Sequence, residues 1–320
     1  MQINYLYAEM FPPIRWAEGG DFLVEYDIKM KKIPLIAAAL LTLSAPVCAL
    51  RGEFREILSP HFQVGYQRAF APAGIVMDLE RIHNRLRMDL AMFAPWMARE
   101  RVKIRIYASQ KAYLGAEFRP PTWSNGIALR DERLVAVYEQ KDPSEALGIL
   151  THELTHLFFE SYWGAKTTPP PSWINEGLAL LEETRSSEKE RSRWESALPR
   201  LRESSWPLEK FFAIVPAQDL RRQGQAEIWY LQAYSLISFL YQGHSRLQFF
   251  NFCGQLRDGR SLEQALWTVY RYSSVQALDD QWRSRMRLPA ASSFAGKGSS
   301  QTKPGRLKLF GKSSFQSFWK

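Results

Sequence analysis

The segment Asp142 to Trp163, DPSEALGILTHELTHLFFESYW, constrains the fold of this chain more than any other. It opens with Asp142 as an N-cap, Pro143 at the first helical position and Glu145 placed to close a capping box. Leu147, Leu150, Leu154, Leu157 and Phe158 recur at helical spacing and form one apolar stripe. His152 and His156 fall on a different face. The helix therefore packs with one side and displays both imidazoles on another.

Residues four apart lie one turn apart, so the two histidines of His152-Glu153-Leu154-Thr155-His156 can place nitrogens on one metal ion. Glu153, next to the first histidine, then points toward water on that ion rather than binding it. Zinc lowers the pKa of such a water to about 7, where a neighbouring carboxylate can take its proton. A third donor decides the matter. Beyond a Pro-rich loop stands PSWINEGLALLEE, with Glu176 at the start of a new helix, twenty residues after His156. His152, His156 and Glu176 would make a two-histidine, one-carboxylate site for one zinc ion per chain. Its fourth position is open, which is the catalytic rather than the structural pattern. Glu183, seven residues after Glu176 and nearly on its face, is either a solvated charge or a carboxylate that orients a ligand histidine.

The pair HELTH and WINEGLA resembles the gluzincin metallopeptidases, whose second motif is Trp-x-Asn-Glu-Gly-x-Ala. The spacing is similar to that of the thermolysin-like and aminopeptidase-N-like branches. The remainder resembles the peptidase MA-like domain over about residues 53 to 287, through YLQAYSLISFL, LRDGRSLEQAL and a terminal Asp-x-x-Trp. The resemblance implies zinc ligands at His152, His156 and Glu176, with Glu153 as general base. It also implies an oxyanion donor at a tyrosine that opens a Tyr-x-x-Gly helix. Tyr230 in YLQAY is the candidate, with Ala233 in place of the glycine and Tyr234 a neighbour on the same face. The Gly-x-Met-Glu-Asn segment by which aminopeptidases capture a free amino terminus has no counterpart before His152. Internal cleavage of a polypeptide is the expectation, with LVAVYE as a strand able to pair with an extended substrate. The competing expectation is a catalytically inactive, zinc-binding envelope scaffold of the same fold.

Upstream of the zinc helix, HFQVGYQ and RVKIRIYAS alternate as strands, and Ile75 to Phe93 has helical spacing between them. A short helix around SQKAYLGAEF follows, then GIALRDERLVAVYE reads as two strands joined at Asp131-Glu132. From Asp142 onward everything reads helical. The fold class expected is α+β. A small mixed sheet, with helices on one side and an edge strand over the active-site helix, precedes a mostly helical C-terminal part. This is the zincin, thermolysin-like arrangement. His61, His83 and His244 lack partners at ligand spacing, and Trp123 and Trp163 flank the proposed cleft.

MKKIPLIAAALLTLSAPVCA, residues 30 to 49, has the layout of a secretory signal peptide cleaved after Ala49, and its apolar run is too short for a permanent membrane anchor. Residues 1 to 29 read as a non-native extension, 50 to 288 as the peptidase domain and 289 to 320 as a flexible tail. The expected location is the bacterial periplasm or the exterior. Beyond Ala49 Cys253 stands alone, so no internal disulfide is expected. Of a formal net charge of +9, six basic residues lie between Ala291 and Lys320, where no acidic residue occurs. A charge sitting largely in a tail argues against a nucleic-acid partner and leaves a solubilising extension, or weak contact with an anionic surface, as its role. The implied partner is a polypeptide substrate.

Overall fold

Val102, Ile104 and Ile106 alternate with Lys103 and Arg105, and the strand they make, β3 (Val102–Tyr107), is the middle of a five-stranded sheet. The computed structural model describes residues 54–69, 71–164, 169–220 and 223–287. The expected leader, the stretch before it and the basic tail lie outside the described residues.

The other strands are β1 (Arg55–Leu58), β2 (Phe62–Tyr66), β4 (Gly126–Leu129) and β5 (Leu134–Tyr138), in the order β1-β2-β3-β5-β4. β3 runs parallel to both β2 and β5, while β1 and β4 close the two edges antiparallel. Parallel neighbours need a crossover, and α1 (Ile75–Leu90) supplies it between β2 and β3. After β3 the chain passes through α2 (Gln110–Leu114), travels to the outer edge as β4, and turns back to insert β5 beside β3. LVAVYE is thus an inner strand, bonded on both sides, and is not available to a substrate. Among the described residues the outer edge on this side of the sheet belongs to GIAL, the first strand of the expected hairpin.

The sheet has helices on both faces, not one. Val64, Ile104, Val135 and Val137 join the main core, with residues of α1 and the long helix that follows β5. Ala136, Tyr138 and Tyr107 point the other way, against Tyr113 of α2 and Phe118. This aromatic layer also anchors the entry to the edge strand. Tyr138 donates to Asn125 Oδ1 at 2.5 Å, and the hydroxyls of Tyr113 and Ser124 are 2.7 Å apart.

The helical part comprises α3 (Pro143–Trp163), α4 (Ser172–Ser186), α5 (Glu188–Ala197), α6 (Leu201–Ser204), α7 (Leu208–Ala213) and α8 (Pro216–Asp219). It continues through α9 (Gln223–Gln242), α10 (Arg246–Arg257), α11 (Leu262–Tyr270) and α12 (Val275–Met286). Asp142 caps α3 by accepting from the backbone N–H and hydroxyl of Ser144. The cap closes on Ser144, and Glu145, expected to complete a capping box, lines a cleft instead.

Gly177 lets α4 and α9 approach. A Cβ there would sit 2.6 Å from the carbonyl oxygen of Ala233 and 2.5 Å from Ile237 Cγ1. This close contact is the physical reason for a glycine after Glu176, and it brings the start of α9 toward the same cleft. The terminal Asp-x-x-Trp locks the far end. Asp279 accepts from the Leu208 N–H at 3.2 Å and from Arg283 at 2.6 Å, and Trp282 donates to Ser235 at 3.1 Å. Cys253 is buried in the core. Among the described residues no helix is long and apolar enough to cross a membrane.

Candidate metal centre

His152, Glu153, His156 and Glu160 line a cleft along one side of α3, while Leu150, Leu154, Leu157 and Phe158 of the same helix are in the core. After the Pro-rich loop, α4 packs against α3, with Glu183 beside Gly148 and Asn175 bonded to Glu160. Glu176 thereby faces both histidines. Its Oε2 is 3.6 Å from His152 Nε2 and 3.8 Å from His156 Nε2. Three donors with metal bonds of ~2.1 Å in a tetrahedral arrangement lie about 3.4 Å apart, so the observed edges suit zinc with little adjustment. Two imidazoles and one carboxylate are also the donor chemistry zinc takes when a fourth position is left for water or substrate.

The imidazoles and carboxylates of the site favour one another's charged forms. Burial opposes a charge on His152, yet the carboxylates of Glu176 and Glu183 outweigh it and hold the imidazolium well above its ordinary range. Burial pushes Glu176 upward too, but His156 and His152 prevail and its carboxyl falls below the usual value. Glu153 is raised, chiefly by burial and against the pull of the two histidines, which makes it a stronger base than a surface glutamate.

The histidines are held unequally. Glu183 Oε2 lies 3.0 Å from His152 Nδ1, so Glu183 is an orienting carboxylate and not a solvated charge. His156 Nδ1 is buried with no hydrogen-bond partner.

The edge strand β4 crosses directly above Glu153. A Cβ on Gly126 would come within 2.9 Å of Glu153 Cγ and 2.8 Å of Ile149 Cγ2, so only glycine permits this approach. Between β4, α3 and α4 runs a cleft of about 350 Å³. Tyr230 lines it, with its hydroxyl pKa raised well above the ordinary value by burial first and by the charges of Glu176 and Glu153 next. Tyr234 turns away, buried and packed on Trp194 at 5.6 Å. Trp123 is 38% exposed on the cleft wall, whereas Trp163 is buried against Phe159 and does not flank it.

Glu160, which continues the four-residue spacing of the histidines, and Glu190 and Arg193, which the fold brings to the cleft, also line it, together with Glu145. His61 and His83, without partners at ligand spacing in the sequence, meet in the fold. Their rings stack at 3.8 Å, with Glu80 2.6 Å from His61 Nδ1. These planes are nearly parallel, at 16°, so their in-plane lone pairs run side by side rather than converging. The triad His61, Glu80 and His83 fits packing better than a second metal centre.

A family model described as the peptidase MA superfamily matches residues 88–287. No curated protein matches the chain.

Proposed function

The chain belongs to the peptidase MA superfamily, and on that premise we propose that it is an exported zinc-dependent peptidase that hydrolyses internal peptide bonds. The observation that carries this reading is the meeting of His152, His156 and Glu176 at 3.6 and 3.8 Å beside a half-buried Glu153. His152, His156 and Glu176 would hold the metal. Zinc, when bound there, supplies Lewis acidity that polarises a carbonyl and makes a water nucleophilic near neutral pH.

The protein's own groups do the rest. Glu153 takes the proton from the attacking water and returns it to the leaving amine, a transfer favoured by its raised basicity. The Tyr230 hydroxyl, which stays protonated, donates to the oxyanion that develops on the attacked carbonyl. Glu183 keeps the His152 ring in place. An extended substrate adds to the free edge of β4, whose backbone groups bind any sequence in a fixed register. Pairing of that kind needs no free terminus, which favours internal cleavage. Export rests on the leader-like segment from Met30 to Ala49.

The test is cleavage of a mixed peptide library by zinc-reconstituted protein. Wild type cuts, Glu153→Gln does not, and Tyr230→Phe loses roughly 10²-fold in kcat with KM little changed. Equal turnover by wild type and Glu153→Gln would remove the peptidase reading.

A further inference from the structure

The cleft is acidic although the chain is basic. Its walls carry Glu145, Glu153, Glu160, Glu176, Glu183 and Glu190 against the single guanidinium of Arg193. Most of these carboxylates already have a task. Glu153 and Glu176 face the histidines, Glu183 holds His152, and Glu190 pairs with Arg193 at 3.3 Å. Glu160 differs. It is half-buried on the wall, and its Oε1 accepts from Asn175 Nδ2 at 2.8 Å. Among the described residues no cation pairs with it. Asn175 fixes the carboxylate without neutralising it and leaves Oε2 for another donor.

From this we infer that Glu160 is a specificity-determining residue that selects a cationic nitrogen of the substrate. The inference rests on the peptide-binding reading of the same cleft. Glu160 lies one helical turn beyond His156, about 6 Å along the axis. Alternate side chains of an extended segment are ~6.6 Å apart on one face. A group that reaches Glu160 therefore belongs to a residue one or two positions from the bond held over the histidines, on the side toward the C-terminal end of α3. A lysine or arginine side chain offers that charge with several donors, and so does a terminal ammonium. The other carboxylates add a negative field along the cleft that draws such a group inward.

The experiment separates binding from cleavage. Zinc-reconstituted Glu153→Gln protein is titrated with fluorescein-labelled peptides carrying lysine, norleucine or glutamate at each of four central positions. Each peptide is made with a free and with an acetylated amino terminus. Binding tightens by about tenfold for lysine over norleucine at one position, or for the free over the acetylated terminus, and the two arms identify which nitrogen is read. Adding Glu160→Gln, which keeps the acceptor for Asn175, brings that ratio to within about twofold, and adding Glu160→Lys makes glutamate the preferred residue. A merely structural Glu160 would change melting temperature without inverting the charge preference. Ratios within twofold throughout, a preference that survives Glu160→Gln, or no saturable binding of any peptide would each overturn the inference. Turnover of the same peptides by wild type is scored separately. Lysine preference without cleavage would sink the peptidase reading alone, and cleavage without charge preference would sink this one alone.

Discussion

Glu183 Oε2 meets His152 Nδ1 at 3.0 Å across the contact between α4 and α3. The contact occupies the ring nitrogen that faces away from Glu176 and aims Nε2 at the other donors. Replacing Glu183 with Ala should weaken zinc binding about 10- to 100-fold, and replacement with Gln should weaken it less. Competition with a chromogenic chelator reads the affinity. An unchanged affinity in Glu183→Ala would mean that the ring is held by packing alone.

Zinc removal should abolish activity without unfolding the protein. Leu150, Leu154 and Leu157 of α3 and Ile174, Leu178 and Leu181 of α4 are all nearly inaccessible in one core, so the placing of both helices does not depend on the ion. Dialysis against a chelator should leave far-ultraviolet circular dichroism close to that of the zinc form. Global loss of helicity on chelation would instead make the ion structural.

Gly177→Ala is expected to cost about 1–3 kcal/mol in denaturant unfolding. The added Cβ meets the Ala233 carbonyl at 2.6 Å, and backbone cannot yield as a flexible side chain can. Separating α4 from α9 also displaces the neighbouring Glu176, so zinc affinity should fall in the same variant. A stability equal to wild type would show that the two helices part freely.

Glu182 predicts how stability changes with pH. It is fully buried, and burial first and Asp89 second push its carboxyl up to about 7, against the opposing charges of Arg185 and Arg85. The ordinary value is 4.5. Between 4.5 and about 7 the folded state holds a proton that the unfolded chain has released, so stability falls as pH rises through that window. The full loss above it is on the order of 3 kcal/mol. Glu182→Gln, which imitates the protonated form, should flatten this dependence and exceed wild type in stability at pH 8. Parallel stability curves for the two proteins from pH 5 to pH 8 would contradict the burial argument.

The zinc helix was legible because several local rules agree on it. Asp142 and Pro143 mark its start, leucines mark the buried side, and the histidines at four-residue spacing fall elsewhere. Glu176 was legible through its neighbours, since the glycine after it answers to a helix contact that the fold displays. The free strand was not. GIAL and LVAVYE are equally strand-like, and which lies outside depends on how far the chain travels after β3 before turning back. Local pattern carries no such information. For the same reason Glu190 and Arg193 escaped notice, because only the packing of α5 against α4 brings them to the cleft. Tyr230 and Tyr234 are four apart on one helix, and burial against Trp194 separates them where sequence spacing does not.

The central claim is hydrolysis by a metal site with Glu153 as its base. Terminal labelling of cell-envelope proteins exposed to zinc-loaded wild type or to Glu153→Gln tests it most directly, because every new amino terminus is a cut bond. A set of neo-termini is expected with wild type and none of them with Glu153→Gln, although both proteins bind one zinc. Identical terminus sets from two equally zinc-loaded proteins would contradict it.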